Sequence, residues 1–262
     1  MSEAADGLPY RMVRPYRLRF EESTANETIR SAVHLAWAAD IAWQHSSALG
    51  FGRDWYSLRG LFWLVRAVRI DVLRPIETYA TATVETYVRG YRRIAARRHC
   101  DIRNGGGDLM ARLEIDWVMT NARGIPTRVP EEMLAFVTPE APSFEMLRVS
   151  LPDAPADAAE LRVRVARRDL DPLDHVNNSV YVDYLEEALA ALGASADGET
   201  PGTNAGRLLT TTPRRYEVEF LSSAGGGDNL VGRTWPIDGS WAFRLSREDG
   251  TEVFRARASA LG

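Results

Sequence analysis

The chain has 262 residues, enough for one large domain or two of ordinary size. Apolar residues make up 45% and charged residues 26%, the balance of a globular protein with a real core. The formal net charge of −4 argues against a dedicated nucleic-acid binder, whose footprint is basic overall.

No apolar run approaches the ~18 residues that span a bilayer, so no membrane insertion is expected. The first ten residues lack the charged-then-apolar pattern of a secretory signal and the arginine-rich pattern of a transit peptide. A single cysteine, Cys100, excludes an internal disulfide framework and a Cys-rich zinc site. A reducing cytoplasm is the simplest location. All 32 basic residues are arginine. Coding bias explains this blandly, but arginine forks also bind carboxylates and phosphates bidentately, which keeps an acidic partner in view.

In chain order, a short strand over 16–20 leads into a helix over 28–49. That helix is apolar on most sides (Val33, Trp37, Ile41, Trp43, Leu49), as a buried helix should be. Strand-like runs follow at 61–72, 76–89, 91–103 and 109–121. The last alternates Leu109, Ala111, Leu113, Ile115 and Trp117 against Arg112, Glu114 and Asp116. Asn104-Gly-Gly-Gly-Asp108 has the turn chemistry of a hairpin. A stretch punctuated by Pro126, Pro130, Pro139, Pro142, Pro152 and Pro155 reads as a linker in which Met146, Leu147 and Val149 pack.

The second half repeats the grammar, with a strand at 161–167, a helix at 178–192, and strands near 208–221, 229–236, 241–246 and 253–259. In that helix Asp183, Glu186 and Glu187 form a wet face opposite Tyr181, Leu185, Ala188 and Leu192. One strand, one long helix and four strands, twice, describe an α+β chain. Each half is then an antiparallel sheet around a central helix. The expected boundaries are an N-terminal domain over 10–125, a linker over 126–158 and a C-terminal domain over 159–262.

The segment that carries chemistry is Asp169-Leu-Asp171-Pro-Leu173-Asp174-His175-Val-Asn177-Asn178-Ser-Val-Tyr181, between the first strand and the helix of the second half. A carboxylate and an imidazole four residues apart in a turn can converge on one small volume. Asn177 or Asn178 suits the helix N-cap, and the open N–H groups of the first turn suit an oxygen that becomes negative in a transition state. Singly, each residue reads as ordinary turn and capping chemistry. Together, at this spacing, they point to a site.

The segment resembles the Asp-x-Asp-x-x-x-His-Val-Asn-Asn-x-x-Tyr stretch of hotdog thioesterases, particularly the plant-type acyl-ACP thioesterases and their bacterial relatives. Further along the resemblance, Trp63-Leu-Val-Arg66, Val68 and the run 83–93 look like that family's early strands. Asp116-Trp-Val-Met-Thr-Asn121 and Arg128-Val-Pro-Glu-Glu132 are similar to the close of its first hotdog. The resemblance implies a double hotdog with catalysis in the second half. By position, it implies Asp171 and His175 as catalytic residues and Glu219, in Tyr216-Glu-Val-Glu-Phe220, as their helper. The family's asparagine falls on Leu173, which cannot hydrogen-bond through its side chain, and Asp174 is a candidate substitute. Many plant members have a cysteine where this chain has Phe220, so a cysteine nucleophile is excluded there. In shorter hotdog thioesterases resembling 4-hydroxybenzoyl-CoA thioesterase, the second Asp of Asp-x-Asp-Pro is catalytic, which again singles out Asp171. By strand alternation alone, Glu219 also reads as a solvated glutamate.

The implied reaction is hydrolysis of a fatty acyl thioester to free acid and thiol, without metal or organic cofactor. Asp171 serves as general base or as nucleophile, His175 orients or polarises, and the turn at Asn177 and Asn178 holds the oxyanion. The expected partner is an acyl carrier protein bearing an acyl chain, or acyl-CoA; a homodimer is left open. The rival readings are a hotdog 3-hydroxyacyl dehydratase or hydratase, and a non-catalytic acyl-binding protein. The region 20–27 has no Asp…His pair, so the first half is expected to supply architecture and an acyl cavity. His34 and His45 share a helix side without a third ligand, and His99 beside Cys100 reads as a strand pair. The glycines at 105–107 and 225–227 lack the context of a phosphate loop. Trp37, Trp43, Trp55 and Trp63 read as core or cavity lining. Arg92, Arg93, Arg97, Arg98, Arg214 and Arg215 read as solvated, or as a docking patch for the carrier.

Overall fold

The computed structural model describes residues 10–136, 143–194 and 203–261; Pro139 and Pro142 lie outside them. The chain folds into two compact units. The first holds residues up to Ile29, His34–Arg66 and Pro75–Met146, and the second holds Arg30–Val33, Ala67–Arg74 and Leu147 onward.

The first unit opens with β1 (Arg11–Arg17), which pairs antiparallel with β3 (Thr81–Arg92). The sheet continues through β4 (Ala95–Arg103) and β5 (Leu109–Asn121) to the Leu61–Arg66 part of β2 (Leu61–Val72), in the order β1-β3-β4-β5-β2. β1 starts five residues before the expected strand over 16–20. It is an edge strand with Pro15 in it and only Met12 fully buried, so it carries little of the apolar signal that marks central strands. The long helix α1 (Ser31–Ala48) is buried along most of its length, through Leu35, Trp37, Ala38, Ile41 and Ala42. Trp43 departs from this, half exposed and stacked on Tyr56 of the short helix α2 (Arg53–Arg59).

In the second unit the order repeats. β6 (Ala159–Arg164), β8 (Asn229–Ile237), β9 (Ser240–Arg247), β10 (Glu252–Ala260) and β7 (Arg214–Phe220) run antiparallel, so each unit lays down its five strands as first-third-fourth-fifth-second. Residues Ala67–Val72 of β2 pair with β7. The central helix α3 (Asn178–Ala194) packs Tyr181 onto Phe220 and Phe254, with ring centroids 5.7 and 5.2 Å apart. A further helix, α4 (Thr203–Thr210), occupies part of the segment whose β-prone Leu208, Leu209 and threonines read as strand. Among the described residues no helix is long and apolar enough to cross a membrane.

The proline-punctuated stretch is strapped down by arginines. Arg97 pairs in a fork with the buried Asp116, both bonds 2.7 Å, and donates to the Glu145 carbonyl at 2.7 Å. Arg92 donates to the Phe144 carbonyl. In the second unit Arg255 and Arg244 reach the carbonyls of Val149 and Pro152. The arginines read as a docking patch are therefore mostly internal. Arg98 contacts buried His45, Arg214 contacts Tyr216 and Ser31, and Arg215 pairs with Asp71. Only Arg92 and Arg93 of the six are exposed.

Candidate active site

The second unit's strand–helix loop is built by its own hydrogen bonds. A 3-10 turn over Arg167–Asp169 closes when the Asp169 carboxylate accepts the Ala166 N–H at 2.8 Å. The same carboxylate accepts the Tyr184 hydroxyl from α3 at 2.9 Å, and the Asp169 carbonyl accepts the Asn177 N–H. Asp169 is therefore a structural brace. Two residues on, the Asp171 N–H donates to the His175 carbonyl at 2.8 Å, closing a four-residue loop. Asp171 Oδ1 accepts the N–H of Leu173 at 2.8 Å and, more weakly, that of His175 at 3.4 Å. Asp174 takes the left-handed conformation this closure needs, φ 61°, one that Asp adopts more readily than most residues. His175 bridges to Gly225, and Val176 anchors the loop through the Ala224 carbonyl.

Asn177 caps α3. Its side-chain oxygen accepts the Ser179 N–H at 3.0 Å and the Ser179 hydroxyl at 2.9 Å, and its carbonyl accepts the Val180 N–H. Two of the first three helix donors are thereby used, while the Asn178 N–H makes no hydrogen bond among the described residues. Of the four histidines, three are buried: His34, His45 and His99, the last hydrogen-bonded to Glu114. His175 is exposed. No ion pair joins it to Asp171 among the described residues; backbone closure, rather than a side-chain bond, puts the two on one loop.

Glu219 comes from β7 rather than from this loop. Along β7, Tyr216 and Phe220 face α3, through the Glu186 carboxylate and the Tyr181 ring respectively. Alternation turns Glu219 to the other face, where it is buried, accepts the Val149 N–H at 3.2 Å and lies 3.7 Å from Arg255. There it lies under the strapped segment. The crevice beside it, lined by Val68, Arg69, Val149 and Glu217 among others, encloses about 10 Å³, room for no more than one water.

Tyr181 of α3 adjoins the loop as well. Its hydroxyl accepts the Ala224 N–H at 3.2 Å. Burial pushes its pKa up to about 12, and the Asp228 and Asp171 carboxylates add to the rise. It therefore stays a neutral phenol near the Asp171 side chain. Its place in the motif, three residues after Asn178, was the available signal.

The first unit contains the same loop without the chemistry. Thr24 N–H bonds the Thr28 carbonyl at 2.7 Å, Glu27 has φ 55°, and Asn26 N–H bonds Thr24 Oγ1. Glu22 takes the place of Asp169, closing the turn at Arg19 and accepting from Trp37. Thr24 and Thr28 thus stand where the second loop has Asp171 and His175, and Asn26 stands where it has Leu173.

Comparisons with known proteins agree with this architecture. Residues 9–137 match the model of the acyl-ACP thioesterase N-terminal domain, and residues 153–194 match that of the C-terminal domain. The chain is 25% identical to a chloroplastic oleoyl-acyl carrier protein thioesterase of Coriandrum sativum over 206 residues, covering 70% of this chain and 54% of that one. It is 23% identical to oleoyl-acyl carrier protein thioesterase 2 of Arabidopsis thaliana, with coverages of 70% and 55%. The chain thus spans about half the length of the curated relatives it matches. Among solved structures, an acyl-ACP thioesterase from Bacteroides thetaiotaomicron superposes with a TM-score of 0.78 at 16% identity, covering 95% of this chain and 97% of that one. The 12:0-ACP thioesterase from Umbellularia californica does so with a TM-score of 0.76 at 21% identity, covering 95% and 96%. These likenesses establish the fold as an α+β double hotdog. Two domain models of one family, in order and together covering more than half of the residues, show that the chain belongs to the acyl-ACP thioesterase family.

Proposed function

We propose that this protein hydrolyses fatty acyl thioesters, with acyl carrier protein as the carrier, and that Asp171 and His175 carry the chemistry. The observation that supports this most is the loop at 171–178. It presents a carboxylate, the chain's one exposed imidazole and an unengaged helix N–H on one short closed segment. With Asp171 Oδ1 occupied by backbone donors, Oδ2 is the oxygen that reacts. As a base it removes a proton from water, whose oxygen adds to the thioester carbon. The Asn178 N–H and the positive end of α3 stabilise the resulting oxyanion. Collapse breaks the C–S bond, and His175 relays the proton taken up by Asp171 to the departing thiolate. As a nucleophile, Oδ2 would form an anhydride that water then opens. Single turnover in ¹⁸O-water separates the two, because the anhydride route can leave label in Asp171.

The test is thiol release from panels of acyl-ACP and acyl-CoA. Asp171→Asn keeps an oxygen for the Leu173 N–H, so the loop stays folded, while kcat falls about 10²–10⁴-fold as for loss of a general base. Full turnover by this variant would overturn the assignment. Enoyl absorbance without thiol release would instead mark a dehydratase. A higher kcat/KM on acyl-CoA than on acyl-ACP would overturn the choice of carrier alone. In this reading Glu219 holds the strapped segment and takes no part in the reaction.

A further inference from the structure

Arg98 sits where a hydrophobe belongs. On β4 the side chains alternate, and Arg97 and His99 take the face of Asp116 and Glu114. Arg98 therefore points to the inner face with Cys100, toward α1, and is only 8% exposed. It donates to His45 Nδ1 at 2.9 Å, which requires a neutral imidazole, and lies 3.4 Å from Thr86 Oγ1. Among the described residues no carboxylate pairs with it, although most other buried or half-buried arginines of the chain have one. Burial pushes its pKa down from the ordinary guanidinium value.

Two tyrosines act on its charge. Tyr56 is tied to Ser46 and Trp63 and belongs to the apolar cluster of Phe51 and Met119. Tyr91 reaches the inner face after a register shift between Val88 and Gly90. Burial raises its pKa to about 12, so it remains a phenol, and Arg98 and Tyr56 are its charged and polar neighbours. The Tyr91 hydroxyl makes no hydrogen bond among the described residues, and neither do Arg98 Nε and Nη2. A cation with unused donors, a phenol opposite Ala96 on the same face of the paired strands, and an apolar cluster packed against that phenol match one ligand chemistry, a carboxylate carried on an apolar chain.

We propose that Arg98, with Tyr91, binds such a carboxylate inside the first unit. The carboxylate has two sources, a free fatty acid or the far end of an acyl chain carrying a second carboxyl group. The binding test needs no turnover, so it stands or falls separately from the thioesterase reading. Calorimetry on the whole chain compares decanoate with decan-1-ol below their aggregation limits. Decanoate is expected to bind at least tenfold more tightly than the alcohol. Arg98→Met should remove the difference, and Tyr91→Phe should weaken decanoate three- to tenfold while leaving the alcohol unchanged. If Arg98→Met does not fold, Tyr91→Phe carries the test.

Equal binding of acid and alcohol, or a preference that survives the variant read, would overturn the proposal. So would no binding of decanoate. Hydrolysis of decanoyl-CoA and its ω-carboxylated counterpart then assigns the source. A loss of kcat/KM in the variants confined to the second compound points to the acyl chain's far end. Relief of decanoate inhibition with both rates unchanged points to the free acid.

Discussion

Asp169 and Asp171 are two residues apart, and the hydrogen bonds on each decide which is available to a substrate. Asp169 spends its carboxylate on Ala166 and Tyr184, whereas Asp171 spends one oxygen on its own loop and keeps the other. Leu173 lies on the same loop and is 54% exposed, so its replacement costs little stability, within about 0.5 kcal/mol. Leu173→Asn places an amide where the first loop has Asn26. We expect kcat/KM on an acyl thioester to rise several-fold as the new donor meets the substrate oxygen. Unchanged kcat/KM with intact folding would show that position 173 has no part in the reaction. The Asp…His spacing was legible because it is local: four residues of one turn carry the whole arrangement. Glu219 was not, because its role depends on which face of β7 meets α3. That is decided by Tyr216 and Phe220 packing on the helix and by Val149 arriving from a distant segment. Arg98 was misread for a related reason, since a charged residue on an inner face contradicts the pattern that composition leads one to expect.

At the scale of elements, the bounds of β2 and β5 are legible to the residue because both are long, 12 and 13 residues, and rich in apolar and β-branched or aromatic side chains. The helices α2 and α4 were missed because each is no longer than eight residues, too short for a 3.6-residue period to declare itself. What holds α4 is packing against α3, where Gly193 meets Gly206. A Cβ at Gly193 would lie 2.9 Å from the Gly206 Cα, and one at Gly206 would lie 3.2 Å from the Gly193 Cα. Alanine at a helical glycine ordinarily gains up to about 1 kcal/mol, while forcing a methyl into a closed backbone contact costs about 1–3 kcal/mol. The contact wins at 193. Gly193→Ala should lower unfolding free energy by about 1–2 kcal/mol in urea titrations, and Gly206→Ala by less. A stabilised Gly193→Ala variant would mean that the helices part easily and that the close approach is incidental.

At the scale of the whole molecule, one grammar is written twice, and the helix of the second copy carries Asp183, Glu186 and Glu187. Asp183 is the group whose charge state follows from this. It is mostly buried and bonded to Arg30 at 3.0 Å, yet its pKa rises to about 6. Burial is the largest cause, opposed by Arg30 and reinforced by Glu186 and Glu187. Because the folded value lies above the unfolded value of about 3.9, the folded chain binds the extra proton between roughly pH 4 and 6. The group's contribution to stability is therefore fully present below about pH 4 and is lost as pH rises through 6. Asp183→Asn has no titration at this position and keeps an oxygen for Arg30. The stability of the native chain relative to this variant should thus fall by roughly 1–3 kcal/mol between pH 4 and pH 7, measured by urea unfolding at each pH. A gap that stays flat, or widens toward neutral pH, would mean that Arg30 outweighs burial at Asp183.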